Sequence, residues 1–377
     1  MTGQILETGA IGHDDSAPVT ILSTPPSLQS FGMAPGTGPA QWADYSRHPA
    51  YAAVAGGSVG ARLASLAIFL RSFALILCKR LISYELIPAH VRAGGGLAFC
   101  SAAIRNIFRH WVGGKPPARG HHAAVAQTLQ AQGVCVAAVD GNSFAAINAA
   151  AKPLLEQLRA RRGARSSGGR DFIESRDSAL RTSNIDLFDA VEEMLDKDGL
   201  LAAISVYLCR PARLIDVNPQ INDSSDDFWL NTFSDLPEAN RPARYFHKDA
   251  SGGDIKAILY MSDVGPKNGP FSYAIGSHAV RSPTLISWIE EANDQSGFSS
   301  TDHKARLNFS RLPKVLQRKC AVGNDLMPDD PATAALLHAE WVITAPHGHL
   351  VVFDTKGFHR GGMVAEGERI VLTCVIG

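Results

Sequence analysis

The chain has 377 residues, 45% of them hydrophobic and 19% charged, a composition that builds a globular core and excludes a wholly disordered polymer. Lys+Arg and Asp+Glu both total 36, so no whole-chain field recruits nucleic acid or an acidic polymer, and no nucleic-acid partner is expected. The balance is uneven in sequence: between Arg47 and Arg119 lie ten basic residues and a single acid, Glu85.

Residues 1–60 are rich in Gly, Pro, Ser and Ala, and read as a flexible tail that cannot repay the entropy of ordering. Its start carries acids and glycines where a secretory signal would carry a basic stretch and an apolar run. The six cysteines are scattered without a CxxC pair. Both features point to a reducing, cytoplasmic setting. Residues 61–112 form a basic helical extension. Its stretch 62–87 contains two apolar runs split by Arg71, neither near the ~18 uninterrupted residues of a spanning helix. At 100° per residue, Arg62, Ser65, Ser72, Lys79, Arg80 and Ser83 fall on one side, which makes an amphipathic helix. Packing on the chain's own core or on a second subunit is the first reading, and peripheral contact with a membrane surface is the second.

Residues 113–120 (GGKPPARG) read as a linker. The pattern after it predicts a helix over His122–Gln132, a strand over Gly133–Val139, a helix from Ser143 to Ala160 and a loop over Arg161–Arg170. A further helix begins near Ser183, with Ser183 and Asp186 in capping-box spacing. Beyond Leu200 come short β-rich runs: AISVYL, ARLIDV, ARYF, IKAILYM, FSYAI, HLVVF and RIVLTCVI. The expected fold is therefore mainly β with flanking helices, a sandwich or jelly roll.

His247-Lys248-Asp249 follows the strand-like ARYF, and residues two apart at a strand end share a face. One imidazole and one carboxylate can thus reach a single ion. The spacing alone is weak, because His13-Asp14-Asp15 and His338-Ala339-Glu340 also fit it. Two histidines and one carboxylate on one side of iron(II) leave three positions for a chelating keto acid and dioxygen. His359, after HLVVF, is the candidate for the second histidine. Ten residues on, Arg369 lies within RIVLTCVI, where a buried guanidinium calls for an anion and favours a bidentate carboxylate. Thr373 shares the parity of Arg369 and is a candidate cosubstrate contact. His278 in Gly-Ser-His, and the pair His347 and His349, are read as turn residues. No P-loop, dinucleotide fingerprint or nucleophile motif is present.

The stretch HKD…IKAILYMSDVGPKNGPFSYAIGSH, followed by HGHLVVFDTKGFHRGG and GERIVL, resembles the phytanoyl-CoA dioxygenase-like family of iron(II)- and 2-oxoglutarate-dependent oxygenases. The likeness spans residues 125–377 and is concentrated in 240–280 and 345–377. It departs from the family pattern at Ile275, where a Pro is usual before Gly-Ser-His. The resemblance implies a double-stranded β-helix core over 121–377, with His247, Asp249 and His359 as ligands of Fe(2+) and Arg369 as partner of the distal carboxylate of 2-oxoglutarate. It also implies dioxygen as cosubstrate and hydroxylation of an unactivated C–H bond of a small molecule, with release of succinate and carbon dioxide. The 110 residues between Asp249 and His359 are generous for the family, and the extra length, about 282–339, is read as a substrate lid. Two alternatives stay open: a catalytically inactive barrel serving as a binding scaffold, and a cupin-like metal enzyme without a keto acid.

Overall fold

The structure, a computed structural model, describes residues 20–25, 27–28, 30, 57–82, 91, 94–111, 122–163, 170–172, 184–208, 211–223, 246, 249, 255–280, 292, 307–308, 310–317 and 331–377. The linker at 113–120, the strand-like residues 243–245, His247, and most of the segment read as a lid lie outside these. The helices are α1 (Val59–Ile82), α2 (Gly96–Trp111), α3 (His122–Gln132), α4 (Gly141–Gly163), α5 (Ile185–Lys197), α6 (Leu200–Leu208), α7 (Lys314–Gln317) and α8 (Pro331–Ala339). The strands are β1 (Val134–Ala138), β2 (Arg170–Phe172), β3 (Leu214–Asp223), β4 (Ile255–Tyr260), β5 (Phe271–Ala274), β6 (Glu340–Ile343), β7 (His349–Asp354), β8 (His359–Gly361) and β9 (Glu368–Ile376).

The strands form two antiparallel sheets, one ordered β1-β7-β4-β9-β3-β2 and one ordered β6-β5-β8. Period-two alternation sorts their side chains into layers. From β9, Ile370, Leu372, Cys374 and Ile376 join Leu350 and Val352 of β7 in a core against α3, α4, α5 and α6. The opposite parity, Val371 with Val351, Phe353 and Tyr260, packs against Phe271, Tyr273, Trp341 and Ile343 of the smaller sheet. The result is three layers: helices, large sheet, small sheet. Helices hold more of the described residues than strands do, so the fold is mixed helix and antiparallel sheet rather than mainly β. The expectation of a jelly roll is met in the coarser sense of two facing antiparallel sheets.

The space between the sheets is apolar at the β1–β7 end and polar toward β3. There, alternation places Val217 and Ile221 against the helices and turns Asn218, Gln220 and Asn222 inward beside Thr373, Val371 and Arg369 of β9. Gln220 and Asn222 are buried, and such amides persist only where they are hydrogen-bonded. Gln220 Nε2 donates to Thr373 Oγ1 at 3.0 Å. The inward face therefore carries a patch equipped for a polar ligand.

Three local readings change. The run AISVYL lies in α6, not in a strand: Leu200, Ala203 and Ile204 are buried at helical spacing, and packing against α3 outweighs the β preference of Ile, Val and Tyr. Within the segment read as a tail, Thr20–Leu22 runs antiparallel to β1, with Leu22 N donating to Val136 O at 2.9 Å and Ala138 N to Thr20 O at 3.0 Å. This covers what would otherwise be a bare sheet edge. On α1, finally, the serine stripe faces inward: Ser65 and Ser72 are buried with Phe69 and Ile76, while Leu63, Leu70 and Leu75 are exposed.

Helix α4 starts where Asp140 accepts hydrogen bonds from the amides of Asn142 (3.0 Å) and Ser143 (3.1 Å), a side-chain N-cap. The hydrogen bonds from Ser143 lower its carboxyl pKa to about 2. Asp140→Ala is expected to reduce unfolding free energy by about 1 kcal/mol. For this depressed carboxylate the contribution is complete above the ordinary Asp value of 3.8 and is lost as pH falls toward about 2. Urea unfolding at pH 7 and pH 2 checks both points: most of the wild-type advantage should be lost at the lower pH.

Candidate functional site

The turn from β7 to β8 is built around Asp354. Its carboxylate accepts from the Lys356 amide at 2.8 Å and from the Tyr207 hydroxyl at 2.6 Å, and its carbonyl accepts from the Tyr273 hydroxyl at 3.0 Å. Ser277 Oγ accepts from the Phe358 amide at 2.7 Å. Gly357 lies directly under the Tyr273 hydroxyl, where any β-carbon would overlap it. These contacts deliver His359, the first residue of β8, into the inter-sheet space.

The His359 imidazole is buried among Phe353, Phe271 and Tyr273, whose ring centroids lie 4.9, 5.8 and 6.4 Å away. Its Nδ1 is 2.9 Å from the Gly357 carbonyl, which can only accept, so Nδ1 carries the proton and Nε2 presents its lone pair. Burial pushes the imidazole pKa down, against the opposing pull of Asp249, and so favours the neutral, ligating form. Nε2 lies 3.6 Å from Asp249 Oδ2. Asp249 is itself tied to the same turn by its amide, which donates to Thr355 O at 3.0 Å.

Cis donors on one ion with bonds of about 2.1 Å sit about 3 Å apart, so this imidazole and carboxylate are placed to share a metal after a small closure. A fixed tautomer, a dry aromatic wall and a partly buried carboxylate form the donor chemistry of such a site. Among the described residues, no third His, Cys, Asp or Glu completes a cluster. His247 lies outside them, although its neighbour Phe246 is buried, with the Arg360 guanidinium 4.5 Å from its ring centroid.

Arg369 points inward from β9. His359 and Gly361, two apart on β8, share a face, and a β-carbon on Gly361 would lie 3.4 Å from Arg369 Nη2. The guanidinium thus fills space that Gly361 leaves open, about 7 Å along the strand from His359. Its Nε and Nη1 are shielded from solvent. Of the nearby acids, Glu366 pairs with Lys267 at 2.6 Å and Glu368 with Arg159 at 2.7 Å. Burial raises the Tyr260 phenol to about 12, partly offset by the Phe271 amide and by the neighbouring Arg369.

Lys256, the single charge in IKAILY of β4, was not singled out by the sequence pattern, yet its Nζ lies 2.7 Å from Asp249 Oδ2. Gln220 and Asn222 were also missed, because Pro219 broke the run ARLIDV that marks the start of β3. The competing histidines have other settings, His338 being exposed on α8. His278 contacts the Gln130 carbonyl at 3.1 Å, His347 contacts Asp263 at 2.7 Å, and His349 contacts the Pro346 carbonyl at 3.1 Å. Glu340 is held by Arg360. His13 lies outside the described residues.

Gly357→Ala should displace Tyr273 and the carbonyl that orients His359. A lost outer contact of this kind lowers metal affinity about 10–100-fold. A competition titration with a chromogenic chelator reads the change, with retained secondary structure by circular dichroism as the control.

No protein-family model and no curated protein sequence matches the chain. Among solved structures it is similar to the non-heme alpha ketoglutarate dependent epimerase SnoN from nogalamycin biosynthesis, at 12% identity over 68% of this chain and 82% of that one, TM-score 0.38. It is similar also to AviO1 from Streptomyces viridochromogenes Tue57 (14% identity, 68% and 94% covered, TM-score 0.38) and to EctD from S. alaskensis with bound Fe (14%, 68% and 76%, TM-score 0.40). Likenesses at these identities and scores transfer neither a fold nor an activity, and the functional reading rests on the side chains.

Proposed function

We propose that this chain is an iron(II)- and 2-oxoglutarate-dependent dioxygenase, with His247, Asp249 and His359 holding Fe(2+) and Arg369 holding the distal carboxylate of 2-oxoglutarate. The observation that carries the reading is the approach of Asp249 Oδ2 to His359 Nε2 at 3.6 Å, in the same inter-sheet space as the Arg369 guanidinium. Chain connectivity supports the third ligand, since His247 adjoins Phe246, and Phe246 packs on Arg360, the neighbour of His359.

Asp249 contributes charge and His359 a neutral donor, so two protein charges do not have to be neutralised at once. Arg369 grips a carboxylate at a distance from the metal ligands that a five-carbon dicarboxylate spans, and Thr373, held by Gln220, lines the same wall. The aromatic cage of Phe271, Tyr273 and Phe353 excludes water from the imidazole. When bound, iron(II) with 2-oxoglutarate and dioxygen supplies the oxidising chemistry, decarboxylating the keto acid to succinate while a C–H bond of a small-molecule substrate is hydroxylated. With Asp249 present as a ligand, halide has no vacated protein position, which favours oxygen transfer over halogenation.

One observation favours a second reading. The Lys256 ammonium at 2.7 Å from Asp249 could hold that carboxylate without a metal, leaving a binding scaffold. Carbon dioxide release from 1-labelled 2-oxoglutarate decides between them. An oxygenase releases label slowly even without substrate, only with iron(II) and oxygen present, and yields succinate in equal amount. Release that ignores iron, or none in the presence of all three, sinks the proposal.

A further inference from the structure

We propose that α1 and α2 form a docking surface for an anionic lipid bilayer. Helix α1 buries two serines yet leaves large apolar side chains on its outer side. Its inward stripe, Ser65, Phe69, Ser72 and Ile76, includes two hydroxyls that are 1% and 7% exposed, and Ser65 Oγ donates to Asn308 Oδ1 at 3.3 Å. Its outward side carries Leu63 at 61%, Leu70 at 54% and Leu75 at 45% exposure. The adjacent α2 adds Leu97 at 90% and Ile104 at 56%, one helical face apart by seven residues. Scattered exposed leucines mean little, but three on the outer side of a 24-residue helix that buries two serines mark an apolar surround on that side.

Charge selects the occupant. Arg62, Arg71 and Arg105 are exposed on the same two helices, and Glu85 is the one acid between residues 47 and 119. A second copy docked across a two-fold axis would set two such basic surfaces face to face, which like-charge repulsion opposes. A bilayer bearing anionic headgroups satisfies both features, because leucine side chains enter the acyl boundary while arginines snorkel to phosphate. The window Val59–Cys78 is long and apolar enough to cross a membrane. Yet its inward stripe is docked on residue 308 of the same chain, and Arg71 sits midway, so the helix lies along the surface rather than through it.

Co-sedimentation of the full chain with vesicles tests this, using phosphatidylcholine alone and phosphatidylcholine mixed with phosphatidylserine. The expected result is partition onto the anionic vesicles, weak partition onto the neutral ones, and release at high salt. Arg62→Ala combined with Arg71→Ala should weaken binding about 25-fold, at about fivefold per cation removed. Leu63→Ser combined with Leu70→Ser should abolish it. Both variants should keep the wild-type thermal midpoint and iron affinity, since these exposed side chains lie outside the metal site. Three outcomes would each overturn the proposal: no partition onto either vesicle; partition that ignores headgroup charge and survives high salt and alkaline extraction; or dimerisation broken by the leucine variant without vesicle binding.

Discussion

His359→Ala is expected to leave a folded protein that neither retains iron(II) nor forms succinate above background. The imidazole is the donor whose geometry is most fully determined: its tautomer is set by the Gly357 carbonyl, its ring plane by Phe353, Phe271 and Tyr273, and its neutral state by burial. Three other described histidines, His278, His347 and His349, hold contacts elsewhere. Loss of a direct ligand should exceed the ~10–100-fold loss of metal affinity that follows removal of an outer contact. Iron content after gel filtration and succinate yield read the two effects. A variant that kept both would remove His359 from the site.

Arg369→Ala should separate cosubstrate binding from metal binding. Hydrogen bonds to charged groups contribute about 1.5–3 kcal/mol each, so losing a two-pronged grip on a carboxylate should raise the KM for 2-oxoglutarate about 100-fold or more. Iron affinity should stay within a fewfold of wild type, because the guanidinium lies beside Gly361, about 7 Å along the strand from His359. Arg369→Lys should recover part of the loss, since a lysine restores the charge without the planar fork. Equal loss of iron and cosubstrate would instead make Arg369 a support of the whole inter-sheet space.

The candidate site was more legible in the sequence than the fold around it. Arg369 stands inside the strand run RIVLTCVI, where a lone charged residue has few reasons to be, while Asp249 and His359 follow the strand-like runs ARYF and HLVVF. Thr373 followed from the same parity, and its contact with Gln220 places it on the inward face. Lys256 obeyed the same rule and was overlooked, since its partner is seven residues away across a segment with no pattern of its own. Gln220 and Asn222 were obscured by Pro219, which reads as a strand terminator although β3 continues through it. AISVYL failed for another reason: the nine-residue run LLAAISVYL is apolar at every position but Ser205 and suits either period, and only the neighbouring α3 decides. Nothing local revealed that Ser65 and Ser72 turn inward, because the partner of Ser65, Asn308, is 243 residues distant.

Anaerobic titration of the purified protein with iron(II) and then 2-oxoglutarate tests the shared metal and keto-acid site most directly. A weak visible charge-transfer band should grow to one equivalent of each component, disappear in His359→Ala, and require higher 2-oxoglutarate in Arg369→Ala. Iron bound without any band would point to a metal barrel that takes no keto acid. Absence of both iron and band, with Lys256 still seated on Asp249, would contradict the assignment outright.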